Sequence, residues 1–158
     1  MWIGDEHTGA YRDEVFQFFL NILNIQYPKG KYIRNFFSEA VSQFEDGSID
    51  LLHIDGLHTY AAVAEDYHTW LPKLSDQGII MFHDTQERDR NFGVWKLWAE
   101  VKDKYPSFEF EHGHGLGVIL VGTNASSSVQ ALFEVLTKPD NLHFAQFFFS
   151  NLKPVLPG

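Results

Sequence analysis

Two short apolar runs, each halted by acidic or imidazole side chains, set the pattern of this chain. Ile49 to Ile54 follows the turn residues Asp46-Gly47-Ser48 and stops at Asp55-Gly56, and Gly78 to Phe82 stops at His83-Asp84. Apolar runs of this length, bounded by turn residues, predict buried parallel strands whose carboxyl ends open into loops. Between them Tyr60 to Leu71 reads as a helix ended by Pro72, and Ser75-Asp76-Gln77-Gly78 as a turn, so the unit is β-α-β. Open α/β sheets bind ligands at the carboxyl ends of their strands. Asp55, His58, Tyr60, His83 and Asp84 therefore stand where chemistry is expected.

The flanking pattern supplies the remaining elements. Val15, Phe18, Phe19, Ile22 and Leu23 recur at helical spacing and predict an amphipathic helix over Tyr11 to Ile25, broken by Tyr27-Pro28-Lys29-Gly30-Lys31. Met1 to Gly9, with Asp5, Glu6 and His7, reads as a polar lead-in. Tyr32 to Phe37 suggests a short strand, with Ser38 capping a helix from Glu39 to Phe44. Phe92 to Tyr105 predicts a helix stopped by Pro106, its Trp95 and Trp98 on one packing face. Phe108 to Glu111, the turn-rich His112 to Gly117 and the apolar Val118 to Val121 predict an antiparallel hairpin at the sheet edge. Gly113-His-Gly-Leu-Gly117 is then a bend, since a dinucleotide loop needs a helix after it. Thr123 to Ser128 reads as a linker, Val129 to Leu136 as a helix, and Phe147-Phe148-Phe149 as core or an oligomer contact. The fold class is α/β, with a main domain over 1–122 and a linker plus helical, aromatic tail over 123–158.

Composition narrows the function classes. A chain of 158 residues with 44% hydrophobic residues is long enough for one domain with a real core. A formal net charge of −9 argues against a nucleic-acid surface, which needs clustered Lys and Arg. The absence of cysteine removes disulfides and thiolate metal sites and fits a reducing, cytoplasmic setting. No basic-then-apolar leader and no apolar run of about 20 residues is present, so neither export nor a membrane span is expected.

At the strand ends, Asp55 and Asp84 are carboxylates flanked by His58 and His83. Such an oxygen-rich set suits Mg²⁺ or Mn²⁺, and the imidazoles shift the preference toward Mn²⁺, Fe²⁺ or Zn²⁺. His58 can instead serve as a general base near neutral pH. Taken singly, each residue has a plainer reading: Asp55 as a helix cap, His83 as a hydrogen-bonded core imidazole. Two strand ends converging shift the balance toward a site.

Ile49 to Tyr60, Trp70-Leu-Pro-Lys-Leu-Ser75, Gly78 to Asp84, Phe92-Gly-Val-Trp95 and His112 to Val118 together resemble the class I S-adenosylmethionine-dependent methyltransferases. The subgroup most similar is the bacterial cephalosporin-hydroxylase-like and macrocin-type O-methyltransferases, and the resemblance covers about residues 2 to 122. It implies a partial Rossmann-like sheet and methyl transfer to a small-molecule or sugar hydroxyl. It implies metal-ligand roles for Asp55, His83 and Asp84, with Mg²⁺ or Mn²⁺ as the ion. His83 departs from the pattern, as relatives carry a carboxylate there. His58 falls where catechol-type relatives have a catalytic Lys, and His58 or His83 acts as base if no ion binds. Phe37, Ser38 and Asp55 fall at cofactor-binding positions, Phe37-Ser38 beside the adenine. The family's first strand and glycine-rich loop would precede residue 1, so this chain alone is expected to bind S-adenosylmethionine poorly and to leave Ile49 to Ile54 as an edge. Two other readings stand beside methyl transfer. One is an inactive domain that forms a homo-oligomer through that edge and the Phe-rich tail; the other is a metal-dependent hydrolase.

Overall fold

A computed structural model describes residues 13–151. The lead-in Met1 to Gly9 and the first residues of the expected Tyr11 to Ile25 helix lie outside the described residues. The chain divides into two compact units, Met1–Phe44 and Glu45–Gly158. In the first, α1 (Asp13–Gln26) carries Phe16 and Phe19 against Tyr32, and Arg34 both pairs with Asp13 at 3.3 Å and lies 4.3 Å over the Phe16 ring.

The expected strand over Tyr32 to Phe37 does not form. Asn35 instead accepts a hydrogen bond from the Phe36 amide at 2.9 Å, a local turn that competes with strand pairing. It leads into α2 (Phe37–Ala40) and a 3-10 turn, Val41–Gln43. Ser38 is thus inside the first turn of α2 rather than its cap, and the N-terminal position belongs to Phe36, which makes no side-chain cap bond.

The second unit holds a four-stranded sheet in the order β1-β2-β4-β3, from β1 (Ile49–Ile54), β2 (Leu74–His83), β3 (Ser107–Phe110) and β4 (Leu116–Leu120). β1 and β2 run parallel, connected by α3 (Tyr60–Trp70), whereas β4 pairs antiparallel with both β2 and β3. This is an α/β, partial Rossmann-like sheet with a C-terminal hairpin.

β2 is longer than the expected Ile79 to Phe82, because the polar Ser75 to Gly78 stretch bulges without ending the strand. Ile49 pairs with Leu74 and Leu51 with Ile79, so the extra residues sit on β2. Their polar groups find partners around the bulge: Ser75 Oγ donates to Asp50, and the Asp76 carbonyl accepts from the Asn124 amide at 2.7 Å.

The two faces of the sheet bury different helices. On one face Ile54, Ile80, Phe82 and Ile119 pack with Val63 and Tyr67 of α3 and with Val94, Leu97, Trp98 and Val101 of α4 (Val94–Val101). The spacing of those α4 positions is that of a single helical stripe. α4 ends short of the expected Tyr105. Pro106 disfavours helical geometry in the residue before it, and Ser107 Oγ binds the Lys102 carbonyl at 2.8 Å.

On the other face Phe108, Val118 and Leu120 pack with Phe133 and Leu136 of α5 (Ser127–Leu136), and Leu142 and Ala145 of α6 (Pro139–Ser150) join them. Residues after the Thr123 to Ser128 connection thus contribute to this core. Ser126 caps α5 by accepting from the Val129 amide at 3.4 Å. Among the described residues, no helix is long and apolar enough to cross a membrane.

Candidate metal and acid–base site

The parallel register brings the two strand tips together. Ile54 lies beside Phe82, which sets Asp55 abreast of His83. Successive residues of a strand point to opposite faces, so His83 and Asp84 would diverge if the backbone stayed extended. It does not: Asp84 has φ of 62°, in the left-handed region that non-glycine residues rarely adopt. That turn swings the Asp84 carboxylate back toward His83. The conformation is held by the Asp84 amide donating to the Gly115 carbonyl at 3.0 Å. Gly115 itself has φ of 88°, and a Cβ there would come 2.5 Å from Thr85 Oγ1, so the hairpin bend can approach only as glycine.

The result is a cluster of Asp55, His58, His83 and Asp84, with one ligand atom from each lying within 4.8 Å of all the others. His58 Nε2 is 3.2 Å from Asp55 Oδ1 and 3.0 Å from Asp84 Oδ2. His83 Nδ1 is 2.8 Å from Asp84 Oδ1 and 3.6 Å from Asp55 Oδ1. Asp84 is buried, and both its oxygens face imidazole nitrogens, whereas the Asp55 side chain is 46% exposed. The hydrogen bond from His58 is the main reason the Asp55 carboxyl sits below its ordinary pKa; the nearby His83 and His53 add to this, and partial burial opposes it.

His83 Nδ1 tests the fit of an ion. It is buried and close to Asp84, yet the approach lies off the hydrogen-bonding direction and the nitrogen has no hydrogen-bond partner. A buried nitrogen in that state calls for another partner. Ligands about 2.1 Å from a common octahedral ion lie about 3 Å apart along each edge, close to the spacing found here. Two carboxylates and imidazole nitrogen also suit Mg²⁺ or Mn²⁺ by chemistry. The residues fit such an ion.

Other expected positions take different parts. Tyr60 is the first residue of α3, and its hydroxyl donates to Glu100 of α4 at 2.9 Å, away from the cluster. Phe37 and Ser38 lie in α2, and both are exposed. Trp98 is packing, as expected, its Nε1 donating to Glu109 at 2.6 Å. His7, Asp5 and Glu6 lie outside the described residues.

Sequence reasoning missed the loop after β2 as a builder of the site. Phe92 stacks on the His58 ring with centroids 4.6 Å apart and planes 13° apart, and Gly93 donates its amide to the His58 carbonyl at 2.7 Å. On the rim, His114 Nδ1 pairs with Glu87; the Glu87 hydrogen bond raises the His114 pKa and lowers that of Glu87. The Phe92-Gly93 dipeptide was visible in the sequence, but its contact across loops was not.

Polar side chains gathered at the carboxyl tips of two parallel strands stand where open α/β sheets bind ligands. A family described as a methyltransferase domain matches residues 5–85, and the chain belongs to that family. The chain is 39% identical over 150 residues to an uncharacterized protein, y4gI, of Sinorhizobium fredii (strain NBRC 101917 / NGR234). That match covers 94% of this chain and 16% of y4gI, so the chain spans about one-sixth of its relative's length. No solved structure matches.

Proposed function

We propose that the domain serves S-adenosylmethionine-dependent O-methyl transfer to a small-molecule or sugar hydroxyl, in the manner of the cephalosporin-hydroxylase-like and macrocin-type enzymes. The observation that supports this most is the convergence of Asp55, His58, His83 and Asp84 at two adjacent strand tips. Asp55, His83 and Asp84 would hold Mg²⁺ or Mn²⁺. When bound, S-adenosylmethionine supplies an electrophilic methyl group and the ion a positive charge beside the acceptor oxygen.

The chain's own residues do the rest. His58 donates its Nε2–H to the carboxylates, so its other ring nitrogen, Nδ1, takes the proton of the acceptor hydroxyl, and a neutral imidazole has a pKa matched to that task near pH 7. Asp55 and Asp84 hold that imidazole and stabilise the imidazolium once the proton has moved. By the family resemblance alone, Phe37, Ser38 and Asp55 would be cofactor-binding positions.

Titration of the protein with Mn²⁺ and with S-adenosylmethionine by calorimetry, followed by transfer of labelled methyl to a panel of hydroxyl acceptors, tests the reading. Saturable Mn²⁺ binding is expected, with weak S-adenosylmethionine binding and slow label transfer that His58→Gln lowers by about a further 10²- to 10⁴-fold. A protein that binds neither ligand and transfers no label would overturn it.

A second reading rests on a different observation. β1 is the terminal strand of the sheet, and Leu51 on it is 57% exposed. Among the described residues no further strand pairs with β1, and an apolar side chain on such an edge favours pairing between two copies, a homo-oligomerising domain. Light scattering that gives a monomer mass at high concentration would exclude that assembly.

A further inference from the structure

We infer that Phe92 and Gly93 are positioning residues that fix the His58 imidazole against the two carboxylates. This rests on the reading of His58 as the working imidazole, and it adds residues to the site that none of the motif or cluster arguments assigns. His58 lies on the loop between β1 and α3, so no ladder or helix of its own holds it. The torsion that turns an imidazole about its last bond is broad, so the ring plane must be set by its surroundings.

Four of its contacts set it. Asp55 and Asp84 fix the direction of Nε2, at 3.2 and 3.0 Å. Phe92, which is buried, fixes the ring plane by stacking at 4.6 Å and 13°. Gly93 fixes the main chain through its 2.7 Å hydrogen bond to the His58 carbonyl. Gly93 has no substitute in this role. A Cβ there would come 2.3 Å from the Tyr60 nitrogen and 2.6 Å from its Cα, and backbone atoms at the start of a helix cannot move aside as a side chain can.

The loop is shaped to deliver this pair. Arg90 and Asn91 take φ of 50° and 62°, and the Phe92 amide donates to the Asp89 carbonyl at 3.0 Å, closing a tight turn just before the stacked ring. The Arg90 guanidinium lies 5.6 Å over the Phe92 ring. Backbone strain of this kind persists where surrounding contacts over-determine it, and it clusters at functional sites.

A role in packing alone and a role in positioning predict different results. Side-chain NMR of the histidine rings in the metal-free chain, with Mn²⁺ binding followed by electron paramagnetic resonance, separates them in wild type, Phe92→Leu, Phe92→Tyr and Gly93→Ala. In wild type the His58 ring protons are expected upfield, under the Phe92 ring current. Phe92→Leu should return them toward ordinary values and weaken Mn²⁺ binding about tenfold, as loss of an outer-shell support does. Phe92→Tyr keeps the stacked ring and should restore both. Should Gly93→Ala fail to fold, the Phe92 variants decide. Unchanged His58 resonances in Phe92→Leu, or no rescue by Phe92→Tyr, would overturn the inference. If wild type takes up no Mn²⁺, the ion reading of the site fails, and the order of the His58 ring, read by ¹⁵N relaxation and expected to fall in Phe92→Leu and recover in Phe92→Tyr, decides whether Phe92 positions His58.

Discussion

The strand tips and α6 invert the usual distribution of side chains in opposite senses. At the tips, Asp84 and Thr85 are buried at 7% and 0% exposure, on backbone bent into the left-handed region. On α6, Phe144 and Phe147 are 70% and 65% exposed. Buried polar groups and exposed large apolar groups are the informative departures from the ordinary pattern, because each carries a free-energy cost that packing does not offset. At the tips the Asp84 carboxylate faces both imidazoles and its amide binds the Gly115 carbonyl, whereas Thr85 Oγ1 and His83 Nδ1 are buried without a hydrogen-bond partner. On α6, Leu142 and Ala145 pack on the sheet and Phe149 meets Phe110 of β3, while Phe144 and Phe147 are exposed on a second apolar face.

The sharpest test of that contrast uses one residue type in two places. Phe82→Ala, at 0% exposure, should lower unfolding stability by about 3–5 kcal/mol in urea titrations. Next in size, Asp84→Ala removes the carboxylate that faces both imidazoles, and Mn²⁺ affinity should fall by at least about 100-fold, beyond the range for outer-shell supports, as read by paramagnetic resonance. The paired change Phe144→Ser with Phe147→Ser should leave urea stability within about 0.5 kcal/mol of wild type. A loss as large as that of Phe82→Ala would show that the α6 face is core after all.

The smallest effect lies on the rim. His114 has its pKa raised by Glu87, so this contact is fully formed below the ordinary value of 6.5 and is lost as pH rises through the raised value. Glu87 has its pKa lowered by His114, so on the acid side the contact is retained above 4.5 and lost as pH falls through the lowered value. Protection of the Gln86 and Glu87 amides, with the intrinsic pH dependence of exchange divided out, should therefore be greatest between those limits and fall on both sides. His114→Gln should flatten the profile.

The elements that could be read directly are those where local pattern and tertiary need coincide. β1 runs from Ile49 to Ile54 as expected, because turn residues precede it and Asp55-Gly56 ends its apolar run. The hairpin was legible for the same reason, since glycines at Gly113 and Gly115 take positive φ in the bend. Tyr32 to Phe37 misled because its apolar composition said nothing of Asn35, whose side chain satisfies the backbone locally. Ser75 to Gly78 misled because polar residues end a strand only where no neighbour answers their hydrogen bonds, and Asp50 and Asn124 do answer them.

The amino-acid order alone determined the β-α-β unit, the hairpin and the residue types at both strand tips, because those follow from period, turn chemistry and the arrest of apolar runs. Only the tertiary structure decided that four of those side chains share one cluster. Convergence required the β1–β2 register to set Asp55 beside His83 and a left-handed Asp84 to defeat strand alternation. It also required Phe92 and Gly93 to reach His58 from another loop. Those are distances between segments remote along the chain, and no local pattern of residues encodes them.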